Sequence, residues 1–473
     1  MSKLHLAIDI GAGSGRHILG RLENSRLETE EIYRFPNIPE QREGHLCWNI
    51  ESLWQNVLKG IRMCGERGTV PETIGIDTWG VDFILLDSED RRLGQAVAYR
   101  DTRTAGMDKE LEKKMPFAEH YRLTGTAKQP FNTVYQMMAV LKEHPEYREK
   151  AADFLFMPEY LSFLLTGRKA HEWTFASTSA LADAKKRDWS IPVIRAAGLP
   201  EKWFSHSPVL PGRVLGHFSE EIAKAAGFDA KVVLPAMHDT GSAYMAIPAE
   251  SRNTACLSSG TWSLLGTETD EPFTGDAPRT SGFTNEGGWN GSVRFLKNIM
   301  GLWMLQRLRA EDGERFSFAE MAELAEASDY PCWIDAADKR FLAPESMTRE
   351  ILSALSEAGA PKPENPGDLC RSVTMGLAVC YRDSIRELSQ LTGIPFDSVN
   401  IVGGGSMNRV LNQWTASLTG LSVMAGPAEG TALGNLLGQM ICTGELKDLR
   451  EARELLRRSV EPEVFTPDAG GRL

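Results

Sequence analysis

Apolar and polar positions follow two different periods along this chain, which predicts a mixed α/β protein. Near the N-terminus LHLAIDI, RHILGRLE and RLETEEIYRF are short runs rich in branched and aromatic residues, as in strands. Turns separate the runs, which indicates a meander at one edge of a sheet. In NIESLWQNVLKGIRMCGERG the apolar residues recur at three- and four-residue spacings, which predicts an amphipathic helix. TIGIDTWGVDFILLD reads as a further strand interrupted by Gly80.

The same set of elements returns in the second half of the chain. TACLSSGTWSLLGTET contains two strand-like runs around a turn, RSVTMGLAVCYRDSIRELSQLTG is an amphipathic helix, and SVNIVGGGSMN is a strand that ends in glycines. The intervening region is mostly helical. A chain of 473 residues is too long for one core. We therefore predict two α/β domains, residues 1–248 and 249–473, packed together without a flexible linker.

Composition excludes several classes of protein. With 42% hydrophobic and 25% charged residues, and no apolar run of about 18 residues, the chain has the profile of a soluble protein with no membrane partner. The net charge of -12 opposes a phosphate backbone, so no nucleic-acid partner is expected. The seven cysteines form no CxxC pair, and the N-terminus lacks a signal-peptide pattern. We expect a cytoplasmic protein with reduced thiols.

The segment LAIDIGAGSGRHILG carries the first candidate site. Its glycines do not fit the dinucleotide fingerprint, because Arg16 replaces the last glycine, and no Lys-Ser or Lys-Thr pair makes it a Walker loop. A tight hairpin remains, whose backbone N-H groups, with Ser14 and Arg16, can hold an anion. Asp9 would face the phosphates through a water-coordinated Mg²⁺. A plain glycine-rich hairpin is the alternative.

Two further glycine turns lie in the second half. LSSGTWS repeats the hairpin composition, and a pair of such hairpins, one in each domain, predicts a polyphosphate held from both sides of a cleft. IVGGGSMN places Gly403, Gly404 and Gly405 between a strand and a helix, where a purine or ribose can approach the backbone. Taken alone, the LSSGTWS hairpin is weak evidence for a site, and IVGGGSMN would be a structural turn.

VVLPAMHDTGSAY carries the fourth candidate. Asp239 follows a run of apolar residues that reads as a buried strand and precedes small residues that begin a helix. One interpretation is a helix N-cap. The other is a catalytic carboxylate.

The motifs together resemble those of the FGGY carbohydrate kinases, which share the actin and heat-shock chaperone ATPase core. The segments that carry the resemblance are GIDTWGVDF, AYRDTRT, PFNTVYQ, MPEYLSFLLTG, HDTGSA, LSSGTWSLLG, TNEGG and LKNIMGLWMLQR. They span essentially the whole chain in order. Gly13 stands where the family pattern leads us to expect serine, so one hydroxyl donor is missing. The resemblance implies an α/β fold of two actin-like (ribonuclease H-like) ATPase domains flanking a central cleft, the first domain binding sugar and the second binding nucleotide.

Carried over by position, the resemblance implies a set of site residues. Those expected to contact ATP are Ala12, Gly13, Ser14, Gly15, Arg16, Thr261, Gln306 and Gly404. Those expected to contact the sugar are Gly80, His238, Asp239, Thr240 and Asn298, with Asp82 and Arg100 as further candidates whose alternatives are a strand-end turn and a surface ion pair. Asp239 is also implied as the general base, and Asp9 as the residue that holds Mg²⁺ through water.

The implied activity is ATP-dependent phosphorylation of the 1-hydroxyl of a 6-deoxyketose. The nearest alternative is a kinase of the same family for a related ketose such as fuculose or xylulose. An actin- or chaperone-like ATPase would carry a peptide-binding or polymerising segment, and none is recognisable. A sugar-binding regulator without catalysis is disfavoured because Asp9 and Asp239 are intact. We expect a monomer or small homo-oligomer.

Overall fold

The computed structural model describes residues 3–249 and 251–468, which divide into two compact units. The first unit comprises the chain up to Ala246 together with Glu268–Phe295 and Thr431–Ser459. The second comprises Ile247–Thr267, Leu296–Gly430 and the chain from Val460 onward. Each unit is thus assembled from segments that are far apart in sequence.

Strands and α-helices both occur throughout the described residues. The strands are β1 (Leu4–Ile10), β2 (Ser14–Glu23), β3 (Arg26–Pro36), β4 (Glu40–Arg42), β5 (His45–Trp48), β6 (Thr73–Thr78), β7 (Phe83–Leu86), β8 (Arg92–Leu93), β9 (Ala96–Val97), β10 (Asp153–Phe156), β11 (Ala182–Asp183), β12 (Asp188–Trp189), β13 (Arg213–His217), β14 (Lys231–Leu234), β15 (Thr254–Ser259), β16 (Trp262–Thr269), β17 (Phe283–Gly287), β18 (Val293–Met300), β19 (Ser398–Val402), β20 (Ser422–Ala425) and β21 (Glu463–Phe465). The helices are α1 (Ile50–Glu66), α2 (Met107–Glu112), α3 (Phe117–Thr124), α4 (Thr133–Glu143), α5 (Tyr147–Lys150), α6 (Met157–Thr166), α7 (Trp173–Ala176), α8 (Ile191–Ala197), α9 (Glu220–Ala226), α10 (Asp239–Met245), α11 (Asp276–Thr280), α12 (Trp303–Glu311), α13 (Phe318–Ala327), α14 (Met347–Glu357), α15 (Pro366–Thr392), α16 (Arg409–Thr419), α17 (Gly430–Cys442) and α18 (Leu449–Ser459).

The main sheet of the first unit has the strand order β13-β14-β6-β1-β2-β3. β1, β2 and β3 form an antiparallel meander that ends at the sheet edge, which confirms the prediction for the N-terminal segments. β6 pairs parallel with both β1 and β14, so the carboxyl ends of three strands meet at the same edge. That edge carries the first candidate site.

Helix α1 shows why the sequence pattern predicted this packing. Asn49 caps its N-terminus by accepting a hydrogen bond from the Ser52 N-H. The residues at three- and four-residue spacing, among them Leu53, Val57 and Ile61, are buried against the apolar residues of β1 and β6. The predicted amphipathic helix is confirmed, and it runs on to Glu66.

The sheet of the second unit repeats around β15 the strand pairing that β1 has in the first unit. β15 pairs antiparallel with β16 and parallel with β19, and β19 pairs parallel with β20. The long helix α15 and the glycine turn after β19 lie where the sequence predicted them.

No helix among residues 3–249 and 251–468 combines the length and apolarity needed to cross a membrane. All seven cysteines are free thiols.

Candidate active site

The turn between β1 and β2 is a tight hairpin, as the sequence predicted. The Gly11 N-H donates to the Ser14 carbonyl at 2.9 Å. Asn37 anchors the turn from β3, since its backbone N-H donates to the Gly13 carbonyl at 3.1 Å and its side-chain amide donates to the Gly11 carbonyl at 2.9 Å. Gly13 and Ser14 are exposed at the tip. The hairpin therefore presents a fixed, accessible backbone, and its contact with ATP stays a prediction.

Asp9 and Arg16 face each other across this hairpin. They are paired in the β1/β2 register, and Nε and Nη2 of Arg16 each lie 2.9 Å from Oδ2 of Asp9. Asp9 is buried, whereas a quarter of the Arg16 side chain is exposed. Arg16 thus has a partner inside the protein, in addition to the anion that the sequence predicted for it.

Asp77 is a site residue that the sequence analysis missed. It lies on β6 directly beside Asp9 in the parallel register and is fully buried. Its Oδ2 accepts a hydrogen bond from the Asn435 side-chain amide at 2.5 Å, while its Oδ1 has no hydrogen-bond partner. Burial and the neighbouring Asp9 raise the pKa of Asp77 well above its usual value. The available signal was an Ile-Asp pair near the end of an apolar strand, as in β1.

Asp239 is the first residue of α10, at the end of the segment that follows β14. His238 occupies the N-cap position, so the interpretation of Asp239 as the N-cap is wrong. Oδ1 of Asp239 accepts hydrogen bonds from the N-H and the hydroxyl of Thr240 at 2.5 and 3.0 Å. Burial raises the pKa of Asp239, the nearby His238 opposes the rise, and Asp9 adds to it. Asp9, Asp77 and Asp239 therefore share one acidic locus.

His238 is buried between Asp239 and the strand ends of the sheet. Its Nε2 lies 3.3 Å from Oδ1 of Asp239. A β-carbon added to Gly80 would lie 3.0 Å from this same Nε2, so the glycine leaves room for the imidazole. The structure thus brings together four of the predicted sugar contacts, Gly80, His238, Asp239 and Thr240.

The sequence analysis also missed two residues that lie beside His238. Glu286 on β17 and Arg294 on β18 are both buried, and Nη1 of Arg294 lies 3.0 Å from Oε2 of Glu286. Nη2 of Arg294 also donates to Nδ1 of His238 at 3.2 Å. Glu286 belongs to the TNEGG motif that the sequence analysis quoted, but no pattern in the sequence marks Arg294 as buried.

Asp82 and Arg100 have a different setting from the other predicted sugar contacts. The Asp82 carboxylate is buried and fully used by donors of the protein, although burial still raises its pKa. Arg100 is half-buried, with its guanidinium 5.1 Å from the centre of the Tyr99 ring. The donors to Asp82 are the Trp48 and Trp79 indoles at 2.6 and 2.9 Å, the Gln136 amide at 3.0 Å and the Tyr99 N-H at 3.1 Å. Asp82 thus joins several elements, and its contact with a sugar stays a prediction.

The predicted ATP contacts of the second unit cluster around the turn between β15 and β16. The Thr261 hydroxyl donates to Oε1 of Gln306 on α12 at 3.4 Å. The Trp303 N-H at the start of α12 donates to the Thr261 carbonyl at 3.2 Å. Gly404, the third predicted ATP contact of this unit, is exposed after β19. Asn298, which was predicted to contact the sugar, is half-buried on β18. The structure places Thr261 and Gln306 together.

The glycine run after β19 has a local structural reason. Gly403 has a φ of 87°, a left-handed conformation that side chains other than glycine rarely adopt. A β-carbon there would lie 2.7 Å from the Ser259 carbonyl oxygen of the β15/β16 turn. The two glycine-containing turns that the sequence analysis singled out are therefore in contact.

Comparison with known proteins assigns the family. The model of the N-terminal domain of the FGGY family of carbohydrate kinases matches residues 4–246, and that of its C-terminal domain matches residues 255–442. The chain belongs to the FGGY family of carbohydrate kinases. Its relatives include the rhamnulokinases of Oceanobacillus iheyensis, 41% identical over 98% of both chains, and of Halalkalibacterium halodurans, 42% identical over 96% of this chain and 97% of the relative.

Solved structures agree with this FGGY assignment at the level of the fold. The ligand-bound xylulose kinase of Lactobacillus acidophilus has a TM-score of 0.81 at 16% identity, with 98% of this chain and 94% of that chain covered. The glycerol kinase of Plasmodium falciparum with ADP has a TM-score of 0.77 at 16% identity and the same coverage. The predicted fold class, a two-domain actin-like α/β protein, is confirmed.

The acidic locus of this FGGY kinase suits a hard cation held through water. Across the described ranges 3–249 and 251–468, no group of three or more His, Cys, Asp or Glu side chains is arranged to hold a metal ion directly. The buried Oδ1 of Asp77 nevertheless has no hydrogen-bond partner, and the neighbouring Asp9 adds a second carboxylate. Carboxylate and water oxygens are the ligands that Mg²⁺ prefers. The donor set therefore fits this ion.

Proposed function

We propose that this FGGY kinase transfers the γ-phosphoryl group of ATP to the 1-hydroxyl of L-rhamnulose, giving L-rhamnulose 1-phosphate and ADP. About 40% identity with rhamnulokinases over nearly the full chain supports this substrate. The observation that carries the chemistry is the placement of Asp239 at the start of α10, beside Asp9 and His238. A carboxylate, a polar sugar-facing group and a cation site are the parts that transfer to a hydroxyl needs.

Asp239 serves as the general base. A carboxylate does not deprotonate a free alcohol in the ground state, because the two pKa values are far apart. In a loose phosphoryl-transfer transition state the hydroxyl proton becomes acidic late, so the carboxylate orients the hydroxyl and receives the proton as the new bond forms. The raised pKa of Asp239 favours this transfer, because a more basic carboxylate accepts the proton more readily.

Asp9 and Asp77 would hold Mg²⁺ through water, and the ion would neutralise charge that develops on the phosphoryl oxygens. Asn435 donates to Oδ2 of Asp77, and Oδ1 has no hydrogen-bond partner in the protein. Arg16 and the N-H groups at Ala12–Gly15 bind the phosphates from the hairpin side. Because Arg16 is already held by Asp9, its guanidinium is oriented before ATP binds.

The remaining predicted contacts complete the proposal. Thr261, Gln306 and Gly404 contact the nucleotide, and Gly80, His238, Thr240 and Asn298 contact the sugar. Asp82 and Arg100 support the sugar side. We also propose that the protein acts in the cytoplasm, because seven free thiols suit a reducing compartment.

The test is ADP release with fixed MgATP and a panel of L-rhamnulose, L-fuculose and D-xylulose, with a sugar-free control. We expect the highest kcat/KM for L-rhamnulose, by about tenfold or more, because a pocket built to hydrogen-bond the hydroxyl groups of one ketose strongly rejects a ketose that lacks one of them or places it differently. A higher value for another ketose would refute the sugar assignment and leave the kinase chemistry. The similarity to a xylulose kinase at 16% identity concerns the fold alone, so it does not favour xylulose as the substrate.

A further inference from the structure

Arg294 is a buried cation that the proposed mechanism does not use. None of its side chain is exposed, although a buried guanidinium carries a large desolvation penalty unless it is paired. Two of its nitrogens donate hydrogen bonds within the first unit, and the third forms an ion pair there. Nε donates to the Gly287 carbonyl at 2.8 Å, Nη1 lies 3.0 Å from Glu286, and Nη2 donates to Nδ1 of His238 at 3.2 Å.

The contact with His238 decides which imidazole nitrogen carries the proton. A guanidinium has only donors and keeps its charge at every pH at which proteins are folded. Nδ1 of His238 must therefore accept, and in the neutral ring the proton then sits on Nε2. Nε2 is the nitrogen that lies 3.3 Å from Asp239 and against Gly80.

Glu286 would favour the opposite state if Arg294 were absent. Its Oε2 lies 3.4 Å from Nδ1 of His238, close enough to attract a proton there. The charged and titratable groups facing the ring are thus Asp239 from α10, Glu286 from β17 and Arg294 from β18. The nearby Phe175 ring is apolar, with its centre 6.1 Å from that of the imidazole. Arg294 requires an unprotonated Nδ1, and Asp239 favours the same tautomer because its carboxylate attracts the proton to Nε2.

We propose that Arg294 is a positioning residue that holds His238 as the Nε2-H tautomer, so that His238 offers a hydrogen-bond donor to Asp239 and to an oxygen of the sugar. Glu286 neutralises the charge of Arg294 and holds the Arg294 guanidinium in place. This inference rests on the proposed function for the sugar oxygen, but the tautomer itself does not depend on it. It makes the buried Arg294-Glu286 pair part of substrate recognition.

The tautomer can be measured directly by two-bond ¹H-¹⁵N NMR of the full-length protein labelled in its histidine nitrogens, at pH 7.5 without sugar. The His238 signals are assigned by their loss in His238→Asn. We expect an unprotonated Nδ1 in the wild type and in Glu286→Gln, and a protonated Nδ1 in Arg294→Met, where Glu286 becomes its partner. Arg294→Lys retains a cationic donor and should keep Nδ1 unprotonated.

Kinetics provide the second readout. In Arg294→Met we expect kcat/KM for L-rhamnulose to fall at least tenfold while the KM for ATP changes less than about twofold, with part of the loss restored in Arg294→Lys. Arg453→Met is the control, since Arg453 is a partly buried arginine of the same unit that pairs with Glu268. It should change neither the tautomer nor the sugar kinetics.

Two results would overturn the inference. One is a protonated Nδ1 of His238 in the wild type, which decides the matter even if Arg294→Met does not fold. The other is an unprotonated Nδ1 in folded Arg294→Met. If no ketose is phosphorylated by the wild type, the proposed function fails, yet the NMR result still decides the role of Arg294 in setting the tautomer.

Discussion

At the residue scale, the backbone that carries His238 is held by a buried carboxylate, Glu172. Its oxygens accept hydrogen bonds from the N-H groups of Thr174, Phe175 and Met237. The Thr174 hydroxyl donates to Glu172 at 2.6 Å and accepts from the His238 N-H at 3.3 Å. Glu172 thus connects α7 to the segment just before α10. Burial raises the pKa of Glu172 to about 7, against these hydrogen bonds, which lower it.

This pKa predicts a pH dependence of stability. The value exceeds that of the unfolded chain, so the folded state binds the proton more tightly. The contribution of Glu172 to the free energy of unfolding is fully present below about pH 4.5. It is lost as the pH rises through 7, and the loss is about 3 kcal/mol. The urea midpoint of the wild type should therefore fall relative to that of Glu172→Gln between pH 5 and 8. Parallel midpoints over this range would contradict the assigned shift.

At the element scale, α17 positions two parts of the acidic locus. Gly434 lies so close to α10 that an added β-carbon would be 1.8 Å from the Ser242 carbonyl oxygen. One residue on, Asn435 donates to Asp77 and to the Gly75 carbonyl on β6. Helix α17 therefore contacts both α10, which bears Asp239, and β6, which bears Asp77. The position of α17 sets the position of these two carboxylates relative to each other within the first unit.

Gly434→Ala tests this role. A clash with backbone must separate α17 from α10, so we expect a loss of about 1–3 kcal/mol in stability and a lower kcat. Thermal unfolding and ADP release measure the two effects. Gly275→Ala is the matched control, because a β-carbon there meets nothing within 4 Å. Equal stability and turnover for Gly434→Ala and the control would show that α17 does not set the site.

The elements that follow local patterns were predictable from the sequence, and those that depend on distant pairing were not. The β1/β2 hairpin (Leu4–Glu23) and α1 (Ile50–Glu66) each follow from apolar periodicity and turn residues within one short segment of the chain. The contact between Asp77 and Asn435 joins residues 358 positions apart, and no periodicity encodes it. Arg294 reads as an ordinary polar position of a strand, because only its partners Glu286 and His238 make its burial favourable.

At the scale of the whole molecule, the first unit depends on residues from the far end of the sequence. Leu436 of α17 is buried against Ala7 and Ile18 of the hairpin strands. Gln439 accepts a hydrogen bond from the Thr73 hydroxyl at 2.6 Å and donates to the Leu6 carbonyl at 3.0 Å. The unit is thus closed by a helix that follows the long Leu296–Gly430 segment of the second unit in the chain.

A fragment of residues 1–248 should therefore not fold cooperatively. Without α17 it exposes apolar surface on β1 and β2 and loses the buried hydrogen bonds that Gln439 makes with the Leu6 carbonyl and the Thr73 hydroxyl. We expect a broad thermal transition and strong binding of a hydrophobic dye. The full-length chain is the control. A sharp unfolding transition of the fragment with little dye binding would contradict this view of the first unit.

The central claim is that Asp239 accepts the proton of the sugar hydroxyl in phosphoryl transfer, and turnover of Asp239→Asn with L-rhamnulose and MgATP tests it most directly. The amide keeps the size of the side chain but cannot accept the proton, so kcat should fall by about 10²–10⁴-fold. ATP and sugar affinities, measured by calorimetry, should stay within about threefold of the wild type. Wild-type turnover in Asp239→Asn would contradict the account.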